Sequence, residues 1–149
     1  MTKKILAVAS AGGHWQQLML MRPAFAAHEV HYITTLKGLS EQFGASPASL
    51  VPDCNRNTAL RATLCFVKLI GLILRIRPDV VISTGALPGV IALALGRAVG
   101  AQTIWVDSVA NAQEMSSSGR LAKRFARLCL SQWETPARAE GVDFAGSIL

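Results

Sequence analysis

An α/β fold, a Rossmann-like doubly wound parallel sheet in a single domain over residues 1–149, is predicted by three observations. Apolar runs of strand length alternate with helical patterns across short links. Two of those strands run into small-residue turns that open a helix, Ser10-Ala11-Gly12-Gly13-His14 and Thr84-Gly85-Ala86-Leu87-Pro88-Gly89. Hydrophobic residues make up 51% of the 149 positions and charged residues only 16%, which argues for buried parallel strands, membrane contact or a large partner interface.

The first strand is the apolar run Ile5-Leu6-Ala7-Val8, and helix one runs from near His14 to Ala26 with Pro23 disturbing its last turn. A strand ending in small residues at a helix start presents free backbone N–H groups at the positive end of the helix dipole, which makes an anion site. Gly12 and Gly13 allow close approach, and His14 adds a group that donates, accepts or takes a proton near neutral pH. The stretch is neither a G-x-G-x-x-G fingerprint nor a Walker loop.

Glu29–Thr34 is rich in β-formers and reads as strand two, with His28 and His31 structural. Lys37–Ala48 reads as a loop or short helix and Ser49–Pro52 as a brief third strand. Asp53–Asn57 is turn-like, with Asn57 as a helix cap.

Leu60–Ile76 is a helix whose charges, Arg61, Lys68 and Arg75, are all positive. It falls below the roughly 20 residues that span a bilayer. Two readings stay open: a helix packed on the sheet, or an in-plane helix touching a membrane or partner. The single sign of charge favours the second, with Arg61, Phe66, Lys68, Leu69, Leu72, Ile73 and Arg75 as the contact set.

Pro78 ends that helix, and Asp79–Ser83 is a buried strand leading into the second small-residue turn and a helix over Val90–Val99. Gln102–Val106 is a further strand, followed by the polar stretch Asp107–Glu114. Ser116–Arg120 leads into a helix over Leu121–Arg127; Leu128–Ser131 is a strand ending at Gln132-Trp133, and Phe144–Gly146 gives a short last strand. In an open α/β sheet ligands bind outside the carboxyl ends of the strands. Ser10–His14, Ser83–Gly85 and Asp107–Glu114 therefore belong on one edge.

The net charge of +6 suits anionic partners. No dense Lys/Arg stripe with interleaved aromatics points to nucleic acid. Cys54, Cys65 and Cys129 form no metal pattern and read as reduced thiols; no metal ligand set is expected. Lys3-Lys4 precede only a strand-length apolar run, so no signal peptide is expected.

Four pieces stand in an order that resembles the ALG-fourteen-like family of oligosaccharide-biosynthesis subunits: Ser10-Ala11-Gly12-Gly13-His14, Pro78–Ala86, Val106-Asp107-Ser108 with Ser118-Gly119-Arg120, and Gln132-Trp133. That family includes the membrane-bound half of the UDP-GlcNAc transferase of N-linked glycosylation and bacterial counterparts in exopolysaccharide and capsule assembly. The resemblance implies the amino-terminal half of a split GT-B glycosyltransferase of the inverting type. This half holds the lipid-diphosphate-linked saccharide acceptor at the cytoplasmic face of the inner membrane, while a separate donor-binding subunit binds most of the UDP-sugar. No further cofactor is implied. Such a half alone is expected to be inactive or poorly active.

In that frame His14 is the candidate base and Asp107 its rival, with Glu114 a weaker one. Ser10, Gly12, Gly13, Ser83, Thr84, Gly85, Ser108, Glu114 and Arg120 are the candidate phosphate and acceptor contacts. Gln132 and Trp133 are assigned to the partner interface, with the domain core as the competing place. Two other classes remain open, a small nucleotide-binding Rossmann protein and a non-catalytic membrane adaptor.

Overall fold

The structure, a computed structural model, describes residues 1–149. Seven parallel strands form one sheet in the order β3-β2-β1-β4-β5-β6-β7. They are β1 (Lys4–Ala9), β2 (Glu29–Thr34), β3 (Ala48–Leu50), β4 (Val80–Gly85), β5 (Gln102–Val106), β6 (Leu128–Ser131) and β7 (Asp143–Phe144). The helices are α1 (Gly13–Leu20), α2 (Leu39–Gln42), α3 (Ala59–Ile76), α4 (Ala86–Ala98), α5 (Ser117–Ala122) and α6 (Glu134–Glu140).

The period of two along β1 splits the core. Leu6 and Val8 face α3, α4 and α5, whereas Ile5, Ala7 and Ala9 face α1 with Trp15, Leu18 and Tyr32. Both faces of the sheet are thus covered, which is what an all-parallel sheet of near-continuous apolar strands needs. Trp15 is fully buried and meets Tyr32 and Phe43 edge-on, each at 6.2 Å between ring centroids.

Several boundaries differ from expectation for local reasons. Helix one stops at Leu20 rather than Ala26, and Arg22–Phe25 forms a separate 3-10 turn around Pro23, whose missing N–H cannot continue the α ladder. Asn57 does not cap α3. Its own N–H donates to Asn55 Oδ1 at 2.8 Å, and Thr58 takes the cap position. The β4 strand runs on to Gly85, so α4 begins at Ala86 rather than Val90; Pro88 then lies in the first turn, where no N–H is required. α5 starts earlier than expected because Ser116 Oγ accepts the Gly119 N–H at 2.8 Å, and it ends at Ala122 rather than Arg127. α6 was not anticipated.

α3 ends as expected before Pro78, with Arg77 in the left-handed region (φ 52°) donating its N–H to Ile73 O at 2.8 Å. Its two faces divide the predicted contact set. Leu69, Leu72 and Ile73 join Cys65 in the core and cannot touch a membrane. Arg61, Phe66, Lys68 and Arg75 stay exposed. The 3.6-residue period puts Leu60, Leu64, Val67, Gly71 and Leu74 in one exposed outer stripe, at alternating spacings of four and three. No helix is long and apolar enough to cross a membrane.

Candidate functional site

The strand order reverses between β1 and β4, which run on to opposite sides of the sheet. Such a switch point leaves a crevice at the carboxyl ends of the strands. A cavity of 480 Å3 lies there, lined by segments that follow four strands: His14 after β1, Cys54–Asn57 after β3, Ala86 and Leu87 after β4, and Ser116–Ser118 with Leu121 after β5.

The His14 ring is seated at the end of β4. Its Nδ1 lies 3.2 Å from the Thr84 carbonyl, and Thr84 Oγ1 donates to the His14 carbonyl at 2.6 Å. These reciprocal bonds brace the first turn of α1 against the end of β4. A carbonyl only accepts, so Nδ1 carries the proton and neutral His14 has its lone pair on Nε2. Gly85 completes the seat, since a Cβ at that position would overlap the His14 ring. The backbone there is extended (φ 165°, ψ 167°), so it is the close approach and not the torsion that requires glycine.

The two small-residue turns meet at this place. Gly12 has φ 85° and ψ −140°, a region reserved for glycine, and turns the chain into α1. Gly13 has open space where its Cβ would be. The first-turn amides of α1 have no intrahelical acceptor and face the edge of the sheet from which the cleft opens. Ala86, at the cleft wall, holds a left-handed backbone (φ 66°) that a non-glycine residue adopts only at a cost of order 1–3 kcal/mol.

Asp107 has a different task from the rival base expected of it. Its side chain is buried, and both oxygens are filled. Oδ1 accepts from Ser116 Oγ (2.6 Å) and Trp105 Nε1 (3.1 Å), and Oδ2 from Ser116 N (3.0 Å) and Asn111 Nδ2 (3.2 Å). A carboxylate has about four acceptor positions, so none is left for a substrate proton. Asp107 ties the loop after β5 to α5, and Gly119 is small because a Cβ would strike its Oδ1. Gln132 lies in the domain core, the competing place expected for it. It is buried, its Nε2 donates to Gln17 Oε1 (2.7 Å) and to the Asp107 carbonyl (2.9 Å), and its Oε1 accepts from Ile148 N (3.1 Å). Gln17 donates in turn to Ser108 Oγ at 3.1 Å, which commits Ser108 to this network. Trp133 is 40% exposed and anchored through Nε1 to the Val109 carbonyl at 2.6 Å.

The other predicted contacts sort clearly. Ser10 is buried at the end of β1. Ser83 is buried under Gly89 of α4, and its Oγ accepts the Gly85 N–H at 3.3 Å, so it is framework. Arg120 and Glu114 are exposed and pair with each other at 3.6 Å; Arg120 also reaches Glu140 at 3.7 Å. Neither lines the cleft. Sequence reasoning missed Asn55, Arg56, Asn57, Ser116, Ser117 and Ser118 as cleft residues, and Gln17 as the buried hub. Their signal was position: each cleft segment follows a strand whose end lies on the same edge.

Cys54 also lines the cleft, but burial pushes its thiol above the usual range, so it is protonated at neutral pH and no thiolate nucleophile. Burial lifts Cys65 and Cys129 to about 12. No three His, Cys, Asp or Glu side chains are grouped to hold a metal ion.

No protein-family model matches the sequence, and no curated protein matches it by sequence. Solved structures do match the fold. MurG of Acinetobacter baumannii superimposes with a TM-score of 0.75 at 11% identity, over 97% of this chain and 44% of that one. UDP-N-acetylglucosamine 2-epimerase of Rickettsia bellii gives 0.75 at 13%, over 99% and 46%. The Neisseria meningitidis UDP-GlcNAc 2-epimerase bound to UDP-GlcNAc gives 0.68 at 12%, over 94% and 43%. This chain thus spans less than half the length of each. Its fold is the Rossmann-like α/β domain that forms the amino-terminal half of GT-B proteins.

Proposed function

We propose that this chain is the membrane-side, acceptor-binding half of a two-chain inverting glycosyltransferase that draws on a UDP-sugar held mainly by a separate donor-binding subunit. The observation that carries the proposal is His14, with Nδ1–H fixed on the Thr84 carbonyl at the mouth of the switch-point cleft. That tautomer leaves Nε2 as a base, and the half-GT-B fold leaves the donor side to another domain. The similarity to a MurG and to UDP-GlcNAc 2-epimerases, one of them bound to UDP-GlcNAc, supports sugar-nucleotide chemistry.

In this reading the lipid-diphosphate-linked acceptor enters the cleft. Its hydroxyl oxygen attacks the anomeric carbon, Nε2 of His14 takes the hydroxyl proton, and the bond from the anomeric carbon to the diphosphate breaks. UDP leaves with that electron pair and the configuration inverts. The amides at Gly12 and Gly13 face the acceptor's phosphates. The exposed stripe of α3 supports attachment to an anionic membrane surface: Leu60, Leu64, Val67 and Leu74 face outward, Arg61, Lys68 and Arg75 recur every seven residues beside them, and the helix carries no acidic residue. On that reading the chain is peripheral, at the cytoplasmic face of the inner membrane, in polysaccharide or oligosaccharide assembly.

The test is His14→Ala in the two-chain enzyme, assayed for transfer of labelled sugar to lipid. Loss of a general base lowers turnover by about 10²–10⁴ with the fold intact. Wild-type turnover in that variant removes His14 from the mechanism.

A further inference from the structure

The walls of the cleft that flank His14 hold chemistry the proposal above leaves unused. The loop between β3 and α3 is folded tightly on Asn55, whose Oδ1 accepts the Asn57 N–H at 2.8 Å while its own N–H donates to Thr58 Oγ1 at 2.9 Å. Arg56 stands at the tip of this turn and lines the cavity. Its guanidinium pairs with no carboxylate, and although Asp53 precedes it on the loop, no Asp or Glu is among the eleven lining residues.

On the other side of the switch point, after β5, stand Ser116, Ser117 and Ser118. Ser116 is committed to Asp107 and Gly119. The hydroxyls of Ser117 and Ser118 have no partner within the chain. The cleft thus offers one unpaired fork of N–H donors, two free hydroxyls and the Asn57 side chain around His14, with no negative charge to compete.

We propose that Arg56 from one wall, with Ser117 and Ser118 from the other, clamps a diphosphate ester against His14. A carboxylate or a lone phosphate presents one centre, which donors on a single wall can satisfy. A diphosphate carries non-bridging oxygens on two phosphorus atoms and meets both walls, and a guanidinium grips one phosphate through two parallel bonds. The assignment rests on the cleft reading above only in that the ligand enters there. It holds equally for a lipid-linked diphosphate and a nucleoside diphosphate.

The experiment is calorimetric titration of the chain with inorganic pyrophosphate, UDP and geranyl diphosphate at constant ionic strength. The proteins are wild type, R56A, R56K, the S117A/S118A pair and R124A, an exposed arginine outside the cavity. Thermal melts confirm that each variant is folded. The clamp predicts saturable diphosphate binding, weakened at least about tenfold in R56A, partly restored in R56K, weakened in the serine pair and unchanged in R124A. Tighter binding of geranyl diphosphate than of UDP through Arg56 assigns the site to a lipid-linked ligand, and the reverse assigns it to a nucleotide; both support the clamp.

Wild-type affinity in R56A overturns it, as does equal loss in R124A or no saturable binding of any of the three probes. The transfer assay on His14→Ala is independent. Arg56-independent binding with His14-dependent transfer sinks the clamp alone, whereas Arg56-dependent binding with His14-independent transfer sinks the catalytic reading alone.

Discussion

Replacing Gly85 with alanine isolates the seat of His14. The backbone at Gly85 is extended and open to any residue, so the variant carries no torsional penalty. The added Cβ would overlap Nδ1, Cγ and Cε1 of His14, and the nearest escape is for the ring to swing away from β4. That movement breaks the Nδ1–H bond to the Thr84 carbonyl, now 3.2 Å. Losing such a bond costs about 0.5–1.5 kcal/mol, and forcing one extra methyl into a packed site costs about 1–3 kcal/mol. The expected destabilisation is therefore about 1.5–4.5 kcal/mol, read from the midpoint of urea unfolding at unchanged slope. Nitrogen-15 NMR of the imidazole reads the second consequence: wild-type His14 is protonated at Nδ1 when neutral, and G85A loses that preference. Stability within about 0.5 kcal/mol of wild type together with an unchanged tautomer refutes the proposition that Gly85 and Thr84 position the ring.

Asp107→Asn puts an amide donor among four donors, so the variant is expected to lose about 2–4 kcal/mol in urea unfolding. Transfer per folded molecule should stay within about tenfold of wild type; a loss of 10³ or more would restore Asp107 as the base. On α3, Leu69→Ala leaves a core cavity and costs about 2–5 kcal/mol, whereas Val67→Glu leaves the unfolding midpoint within about 0.5 kcal/mol and abolishes binding to anionic vesicles. Burial, aided by the charge of Arg75, lowers the pKa of His31 below its usual 6.5. Below pH 6.5 the unfolded chain binds a proton that the folded chain refuses, so stability falls as pH drops from 6.5 toward the folded pKa. His31→Gln, which can still bond Ser49 Oγ, should flatten that slope in urea titrations at pH 7 and pH 5.

What the sequence revealed follows the range of the forces involved. β2 is found at its predicted limits, Glu29–Thr34, because β-branched and aromatic residues end at turn signals a few positions away. β5 and β6 likewise keep their limits. Helix ends were harder. Ser116 and Thr58 are cap positions, but four polar residues precede α3 and three serines precede or open α5, and side-chain chemistry alone does not choose among them.

α3 misled in a more instructive way. A hydrophobic count sees apolar residues all round, while the register of burial assigns Cys65, Leu69, Leu72 and Ile73 inward and Leu60, Leu64, Val67 and Leu74 outward. The candidate site was legible at His14 and at the two small-residue turns because a strand end and a helix start are local features. The network of Gln17, Ser108 and Gln132 was not, since it joins residues 91 and 115 positions apart. Asp107 looked catalytic as an acid at a strand end; only the fold shows that Trp105, Asn111 and Ser116 saturate it. Arg56 carries no signal of its own in the sequence, since a polar turn before a helix is common; only the strand before it puts that turn on the edge where ligands bind.

The central claim is that this domain acts on a lipid-linked acceptor only with a second, donor-binding chain, through His14. The most direct measurement is transfer from labelled UDP-sugars to membrane lipid extract by the chain purified together with a donor-binding partner, by the same preparation carrying His14→Ala, and by the isolated chain. The account predicts transfer by the first, at an inverted anomeric centre, with a loss of at least about 10² in the second and little or none in the third. Equal transfer with and without His14, or full transfer by the isolated chain, would contradict it.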